Sequence, residues 1–254
     1  MRTTLKYVVT LLVDALAHTK RFSFPEKYSW RWKLDMLTGR YEPETTKLLK
    51  KLLKPGMVFI DVGAHIGYFT RLAAGCVGGG GHVYAFEPDR ENHALLKENT
   101  RQFQNVTREK YAVSEKNGSV SFYHIENSTG SHSTLKPAEA VREETVQTVS
   151  LDDYCMQKNT VPGVIKMDIE GGEPAALRGM KQILQTPHLQ IVMEYNQAAL
   201  ERANDPDFLD TFAADYSLQV ITTHGLVTLE KPYHEAVKKH LGKEGSVNLY
   251  CTRI

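Results

Sequence analysis

Short apolar segments alternate along this chain with longer segments in which apolar residues recur every three or four positions. A short apolar run bounded by polar or turn residues predicts a buried strand, whereas the longer period predicts a helix. The segments that predict strands are residues 58–61, 83–87, 106–113, 119–123, 146–149, 163–169, 189–194, 218–223 and 247–252. Helices are predicted between them, including one over residues 174–184. This alternation is typical of an α/β protein with a mainly parallel sheet covered on both faces.

Two further features refine the predicted fold. Asn117 and Gly118 form a dipeptide that favours a hairpin turn before the alternating segment 119–123. Residues 127–137 are polar and have no apolar period, which predicts a flexible loop. A parallel sheet binds its ligands at the carboxyl ends of its strands, so we expect this loop to lie over that edge. We expect the last strand of the sheet to run antiparallel.

The beginning of the chain has an apolar pattern of its own. One face of a predicted helix carries Leu5, Val8, Leu12 and Leu16. Such a face can cover the domain, pair with another subunit or rest on a membrane surface, and covering is the commonest use. The apolar run is shorter than the roughly 20 residues of a membrane span, and Asp14 within it argues against a signal peptide. We expect a helical cap over residues 1–50, a ligand-binding domain over residues 51–254 and no transmembrane segment.

Composition excludes some classes of partner. The chain has 254 residues, 41% hydrophobic and 24% charged, which is enough for one α/β core. Its 31 Lys and Arg residues balance 30 Asp and Glu residues, and a net charge of +1 provides no basic field for nucleic acid. Three cysteines without metal-type spacing suit the reducing cytoplasm. We therefore expect a cytoplasmic protein without a nucleic-acid partner, and the composition leaves a homo-oligomer open.

Two successive predicted strands end close to an acid, Asp61 and Glu87, and together they predict a nucleoside site. Gly63 allows a tight turn and a close approach of backbone N–H groups to a ligand. Gly67 lets the following helix pack closely. Glu87, at the tip of the neighbouring strand, is placed to accept hydrogen bonds from both hydroxyls of a ribose.

The glycine spacing separates two kinds of ligand. The pattern Asp-x-Gly-x-x-x-Gly that starts at Asp61 lacks the third glycine with which Gly-x-Gly-x-x-Gly approaches a pyrophosphate. A nucleoside without a pyrophosphate fits better. S-adenosylmethionine offers an adenosine for Glu87, a carboxylate for the helix N-terminus and an electrophilic methyl group. The alternatives are a nicotinamide-dependent oxidoreductase, which this spacing disfavours, and a non-catalytic nucleoside-binding module.

Carboxylates also gather at the ends of two later strands. Asp168 and Glu170 lie at the end of one strand, and Glu194 ends the next. A carboxylate is expensive to bury without a partner, so these acids are candidates for chemistry. One hypothesis is that Asp168 or Glu170 removes a proton from an acceptor hydroxyl. A second is that Asp168, Glu194 and Asn196 hold Mg²⁺, and a third is a structural ion pair between Asp168 and Lys166.

Three residues outside these strands are weaker candidates. His132, in the polar loop, is a possible base because imidazole titrates near neutral pH. Ser114 and Glu115 follow the third predicted strand, where they could contact the amino group of an adenine. Residues in such positions more often lie in an exposed turn.

Four segments, in chain order, resemble the motifs of FkbM-type methyltransferases: residues 59–69, 85–88, 150–153 and 165–171. The resemblance implies the class I, Rossmann-like, doubly wound fold with seven strands, the last antiparallel. It also implies S-adenosylmethionine as cofactor and O-methylation of a sugar, a glycan or another natural-product hydroxyl. His65 stands where the family most often has asparagine, which should change a side-chain contact more than the turn. Residues 1–39 and those after Asn196 match weakly, and these parts should define the acceptor.

The candidate site follows from the motifs and the resemblance together. By resemblance, Tyr41 and Glu42 cover the methionine end of the cofactor. The residues assigned to cofactor binding are Tyr41, Glu42, Asp61, Gly63, Ala64, His65, Gly67, Tyr68, Phe69, Glu87, Pro88, Ser114, Glu115 and Asp168. Those assigned to catalysis are Asp168, Glu170, Glu194 and His132.

Overall fold

A large, mostly parallel sheet forms the centre of the computed structural model, which describes residues 2–125, 132–136, 140–203, 205, 208–242 and 245–254. Its strands are β1 (Val58–Val62), β2 (His82–Phe86), β3 (Val106–Glu109), β4 (Ala112–Val113), β5 (Gly118–Ile125), β6 (Ala140–Val149), β7 (Val164–Met167), β8 (Gln190–Asn196), β9 (Tyr216–Thr222), β10 (Gly225–Thr228) and β11 (Ser246–Arg253). The helices are α1 (Arg2–Thr19), α2 (Trp30–Thr38), α3 (Pro43–Leu52), α4 (Tyr68–Val77), α5 (Arg90–Thr100), α6 (Leu151–Lys158), α7 (Glu173–Arg178), α8 (Gln197–Ala203), α9 (Phe208–Phe212) and α10 (Tyr233–Lys238).

The order of the strands confirms the predicted fold class. The large sheet has the order β10-β9-β11-β8-β7-β1-β2-β3, and the strands β8, β7, β1, β2 and β3 pair in parallel. Strand β11 runs antiparallel between β8 and β9. From β3 to β9 these are the seven strands of the class I methyltransferase fold with its antiparallel last strand. The short strand β10 extends the sheet by one strand at its edge.

Three predicted elements have different limits in the structure. The segment 106–113 divides, because β2 ends at Phe86 opposite Glu109 and offers no partner beyond it. The chain then enters a second sheet of order β4-β6-β5, in which β6 begins at Ala140, earlier than predicted. The helix predicted over 174–184 is α7 followed by a 3-10 turn at Ile183–Gln185. Gly179 separates them, and it packs so closely on Ser114 that a Cβ there would lie 2.1 Å from the Ser114 carbonyl oxygen.

Alternation of side chains along the central strands builds a core on each face of the large sheet. Phe59 and Val164 are fully buried on the face that α3 and α4 cover. Ile60 and Ile165, the next residues along the same strands, are fully buried on the opposite face with α6 and α7. Successive strand residues point to opposite faces, so a strand covered on both sides is apolar throughout. This rigid centre holds the strand ends that form the site.

Helices α1 and α2 pack over the turn that connects β1 to α4. Val13 and Met36 are buried in one apolar cluster with Ile66, which belongs to that turn. Asn99 on α5 secures the contact, because its side-chain amide donates to the carbonyl oxygens of Ser23 at 2.9 Å and of Ile66 at 2.8 Å. The segment before α3 therefore contacts the β1–α4 turn directly.

The apolar face by which α1 packs agrees with the predicted one at Leu16 and differs from it at Val8 and Leu12. The residues that pack inward are Val9, Val13, Leu16 and Ala17. Val8 and Leu12, which the period placed on the covering face, are 46% and 66% exposed. The helix carries two apolar stripes that share Leu16, and the stripe that also contains Val9 and Val13 is the one that packs with α2. None of the described helices is both long and apolar enough to cross a membrane.

Candidate active site

A cavity of about 610 Å³ lies at the carboxyl ends of β1, β2, β7 and β8. A volume of this order accommodates a nucleoside cofactor together with part of an acceptor. The predicted site residues that line it are Tyr41, Glu42, Gly63, Ala64, His65, Tyr68, Phe69, Glu87, Pro88, His132, Asp168, Glu170 and Glu194. The cavity therefore lies at the carboxyl ends of the strands, where the ligand was expected.

The turn after β1 is held by bonds within the protein. The N–H groups of Gly63 and Ala64 donate to the Phe86 carbonyl oxygen at 3.0 and 2.9 Å, and the N–H of His65 donates to Glu87 Oε2 at 2.8 Å. These donors are therefore occupied by the protein, which differs from the expectation that this turn offers its N–H groups to a ligand. Gly63 has a φ of +79°, and a Cβ there would lie 1.9 Å from the Asp168 carbonyl oxygen. A glycine is therefore needed at position 63 for the close contact between the ends of β1 and β7.

We expect Gly63→Ala to lower the free energy of unfolding by at least about 2 kcal/mol more than Gly39→Ala does. Gly39 is the matched control, because its φ is +73° and a Cβ there would meet nothing within 4 Å. Both variants carry the backbone strain of a left-handed residue, but only Gly63→Ala forces two backbone segments apart. Urea unfolding followed by circular dichroism measures the difference. Equal losses in the two variants would contradict this account of Gly63.

Glu87 is a buried carboxylate whose oxygens are partly satisfied. Its side chain is 5% exposed, Oε2 accepts from His65 N, and Oε1 accepts from Asp89 N at 3.0 Å. Burial raises the pKa of Glu87 to about 8. The side chain of Asn92 is a third hydrogen-bond partner of Glu87. A carboxylate has about four acceptor sites, so the ionised form, which bound hydroxyl donors favour, keeps acceptor capacity for a ribose.

His65 connects the turn to the segment before α2. Its φ of +51° lies in the left-handed region, where asparagine is more common than most residues, so the departure from the family pattern leaves the turn intact. The ring Nε2 lies 3.1 Å from the hydroxyl of Tyr28. Burial lowers the pKa of His65 to about 4, and the ring is therefore neutral at physiological pH.

Asp168 forms an ion pair with Lys166, which was the third hypothesis for this residue. Its Oδ2 lies 3.0 Å from Lys166 Nζ, and Lys166 is 2% exposed. The ammonium also lies 4.6 Å from the ring centroid of Phe69. Burial would lower the pKa of Lys166, but the nearby carboxylates Asp168, Glu42 and Asp61 outweigh it and raise that pKa. Lys166 places a fixed positive charge on the floor of the cavity.

The three strand-end acids meet as predicted. Carboxylate oxygens of Asp168, Glu170 and Glu194 all lie within 4.8 Å of one another. Burial, and then the charge of Asp168, raise the pKa of Glu170 to about 8 and that of Glu194 to about 10. Glu194 Oε2 is buried and has no hydrogen-bond partner among the described residues. Burial and the charge of Asp168 therefore favour the protonated forms of Glu170 and Glu194 in the free protein.

Glu173, which the sequence reasoning missed, shapes the loop that carries these acids. Its buried carboxylate accepts from the N–H groups of Ile169 and Gly171, each at 2.9 Å. Between them Glu170 takes a φ of +53°. Ser133 Oγ donates to the Glu170 carbonyl oxygen at 2.8 Å, so the described part of the polar loop contacts the same place. Residues 127–131 and 137 of that predicted loop lie outside the described residues.

The titration of Glu170 predicts a pH-dependent effect of Glu170→Gln on stability. In the folded state the pKa is about 8, against 4.5 for the free side chain. The wild-type carboxyl therefore contributes stability that is complete below pH 4.5 and is lost as the pH rises through 8. Glutamine does not titrate. We expect the Tm of the variant relative to wild type to increase by roughly 2 °C or more between mildly acidic and mildly alkaline buffer. Differential scanning fluorimetry tests this, with exposed Glu91→Gln as the control, and a parallel shift in both variants would contradict it.

Residues from both ends of the chain close the cavity. Asn248 on β11 donates to Glu42 Oε2 at 2.9 Å. The rings of Tyr41 and Tyr68 meet edge to face with centroids 5.2 Å apart. Tyr28 and Trp32 line the mouth, and their ring centroids are 6.0 Å apart. The only sequence signal for this last pair was the aromatic-rich segment 28–32.

Four predicted cofactor residues do not line the cavity. Asp61 is buried behind it, where its Oδ2 accepts from Thr70 at 2.6 Å. Gly67 is the residue before α4, and a Cβ there would lie 2.9 Å from Leu96. Ser114 and Glu115 lie outside, which departs from the adenine contact expected of them.

The third strand ends earlier than predicted, so the chain reaches the cavity at different residues. Tyr111, Ala112 and Val113 line it instead of Ser114 and Glu115. Glu115 lies at the surface, 3.2 Å from the guanidinium of Arg178. His132 does line the cavity, and burial lowers its pKa, which weakens it as a base.

A sheet of this strand order has the class I methyltransferase fold, and Glu87 at the tip of β2 lies at the edge where sheets of this kind bind ligands. The chain belongs to the family of the methyltransferase FkbM domain, whose profile matches residues 61–219. The match begins at Asp61 and includes the glycine turn, Glu87 and the strand-end acids.

Two curated relatives have names that state an activity. The hexuronic acid methyltransferase AglP of Haloferax volcanii is 29% identical over 164 residues, which are 63% of this chain and 64% of AglP. The 2-O-methyltransferase NoeI of Sinorhizobium fredii is 26% identical over 181 residues, which are 63% of this chain and 72% of NoeI. The chain thus spans less than two thirds of AglP.

Among solved structures, methyltransferase FkbM from Methylobacillus flagellatus KT has the same fold. It superposes with a TM-score of 0.50 at 17% identity, over 94% of this chain and 57% of that one. At this identity the likeness concerns the fold alone.

Proposed function

We propose that this protein is an S-adenosylmethionine-dependent O-methyltransferase that acts on a hydroxyl of a sugar or glycan. The observation that carries the proposal is the sharing of one cavity by Glu87 and the acid cluster Asp168, Glu170 and Glu194 in a chain with an FkbM domain. Glu87 would bind the adenosine, and the acid cluster would face the acceptor. The names of the two relatives support a sugar as acceptor.

The residues present fit the cofactor by their chemistry. Glu87 would accept hydrogen bonds from the ribose, and the apolar wall at Tyr111 and Ala112 suits the adenine. The methionine end would lie toward Tyr41 and the buried ammonium of Lys166, which suits a carboxylate. Bound there, S-adenosylmethionine supplies an electrophilic methyl group. We also propose residues 1–50 as a cap that helps to close this site.

Asp168 is the residue that we assign as the base. A general base must be ionised, and burial raises the pKa values of Glu170 to about 8 and of Glu194 to about 10, which favours their protonated forms. Asp168 is paired with the Lys166 ammonium. It takes the proton of the acceptor hydroxyl while the oxygen of that hydroxyl is methylated. The protonated glutamic acids can donate hydrogen bonds that orient the acceptor.

The cluster disfavours a carboxylate as the methylated group. An anionic acceptor would face the negative charge of Asp168, and like charges in a buried site repel. A neutral hydroxyl meets no such barrier. The same oxygens could instead hold one Mg²⁺, which would neutralise the cluster and lower the pKa of the hydroxyl. A chelator separates the two mechanisms, because a protein base is indifferent to it.

Isothermal titration with S-adenosylhomocysteine and with NAD tests the cofactor. Binding of the former alone supports the proposal, binding of NAD indicates an oxidoreductase, and binding of neither indicates a protein that lost this site. Transfer of a labelled methyl group from S-adenosylmethionine to a panel of free sugars, uronic acids and their oligosaccharides then tests the acceptor class. Label in a base-labile ester rather than an ether would contradict methylation of a hydroxyl.

A further inference from the structure

The outward side of α1 is apolar. Its exposed apolar residues, with their exposed fractions, are Tyr7 at 66%, Val8 at 46%, Leu11 at 52% and Leu12 at 66%. They lie on the side of the helix opposite to the stripe that packs against α2. A surface helix of a water-soluble domain normally presents polar residues there. Among the described residues nothing covers this face, so it has the character of a docking surface.

The net charge of the segment that carries this face favours one kind of partner. The first 40 residues contain eight Lys and Arg residues and three Asp and Glu residues, a local net charge of +5 in a chain whose total is +1. Lys6, Lys20, Arg21 and Arg31 are exposed. Two copies of the chain that met through this face would bring the positive charges together, which costs free energy. An anionic surface would attract them.

The docking surface is connected to the mouth of the cavity. Lys33 on α2 forms an ion pair with Asp14 on α1 at 2.7 Å, which fixes the two helices to each other. Trp32, the preceding residue, lines the cavity and is 47% exposed. Tryptophan and tyrosine are the residues that favour the boundary between lipid headgroups and acyl chains. Helix α2 therefore links the helix that carries this face to the entrance of the site.

We propose that α1 lies in the interface of an anionic lipid membrane, with Tyr7, Val8, Leu11 and Leu12 inserted at the level of the headgroups. An amphipathic helix in a segment of net positive charge binds in this way without spanning the bilayer. If the helix binds a membrane in this way, the acceptor class is a lipid-linked saccharide. This statement about the acceptor rests on the proposed function. The sugar would enter the cavity from the membrane side.

Co-sedimentation with vesicles tests the membrane contact. Vesicles of phosphatidylcholine mixed with phosphatidylglycerol should bind the full chain at least about tenfold better than phosphatidylcholine alone, and added salt should weaken the binding. Leu11→Glu with Leu12→Glu should lower partitioning by at least about tenfold, because two inserted apolar side chains are replaced by anions. Met156→Glu, at a residue 72% exposed on α6, is the matched control and should leave partitioning unchanged.

Three outcomes would overturn the proposal: no preference for the anionic vesicles, binding that survives the double substitution, or an equal loss in Met156→Glu. Light scattering tests a fourth such outcome. If the wild-type chain is a dimer and Leu11→Glu with Leu12→Glu dissociates it, a second copy of the chain covers this face. Calorimetry with S-adenosylhomocysteine keeps the two proposals apart. The double variant should bind S-adenosylhomocysteine with the same affinity as the wild-type chain. A wild-type chain that binds vesicles but not S-adenosylhomocysteine would refute the proposed function and leave the membrane proposal standing.

Discussion

Asp168→Asn should lower kcat for methyl transfer by about 10²–10⁴-fold, the usual effect of removing a general base. Asparagine keeps the shape of the side chain but cannot accept the proton of the acceptor hydroxyl. The affinity for S-adenosylhomocysteine should change far less, since Glu87, which we propose holds the adenosine, follows a different strand. Single-turnover rates with labelled S-adenosylmethionine, together with calorimetry, separate the two quantities.

Loss of the Lys166 ion pair is a second effect of the same substitution and must be distinguished from loss of the base. Lys166 is buried, so the variant leaves a charge with fewer partners and should also lower the Tm. Lys166→Met combined with Asp168→Asn removes that charge, so the Tm should recover. Because Lys166 is also placed toward the methionine end of the cofactor, rates are compared at saturating S-adenosylmethionine, where the loss of kcat should persist. Asp153→Asn, at an exposed acid on α6, is the control for charge alone. Normal turnover by Asp168→Asn would show that Asp168 has only a structural role.

Glu87→Ala should weaken the binding of S-adenosylhomocysteine by about 10²–10⁴-fold. The expected loss is two hydrogen bonds from ribose hydroxyls to a carboxylate, each contributing about 1.5–3 kcal/mol. The effect should appear in Kd and in KM for the cofactor, measured by calorimetry and by initial rates. NAD affinity is not expected to rise, because the turn at Gly63 lacks a pyrophosphate site.

Two variants make the Glu87 experiment interpretable. Glu87 also accepts from His65 N and Asp89 N, so alanine could disturb the turn as well as the ligand. Glu87→Gln retains an acceptor oxygen and the shape, and it should fall between wild type and alanine. Glu91→Ala, at an exposed acid in the first turn of α5, should bind as wild type does. Wild-type affinity in a folded Glu87→Ala would remove Glu87 from the cofactor site.

The strand ends of the site could be predicted because their signals are local. An apolar strand that ends in an acid places that acid at the carboxyl edge of a parallel sheet, whatever the rest of the chain does. Glu87, Asp168 and Glu194 were identified in this way, and all three line the cavity. The prediction for Ser114 and Glu115 was less successful because it depended on the length of β3. That length is set by where β2 ends, which is a tertiary property.

Contacts between distant parts of the chain could not be predicted from local patterns. Asn248 and Glu42 are 206 positions apart, and only the folding of β11 into the sheet beside α3 brings them together. The hydrogen-bond distance between Tyr28 and His65 depends in the same way on how the first helices pack. The left-handed turn at Gly63 could be anticipated, but its close partner, the Asp168 carbonyl, belongs to another strand.

By itself, the sequence determined the α/β fold, the order of the motifs and the acids at the strand ends, because the period of apolar residues specifies each element and its buried faces. The tertiary structure decided the state of those acids, since burial and the nearness of Asp168 raise the pKa values of Glu170 and Glu194. It also decided which stripe of α1 is covered. Two apolar stripes are equivalent in a periodic pattern, and only the shape of the surface beneath α1 distinguishes them.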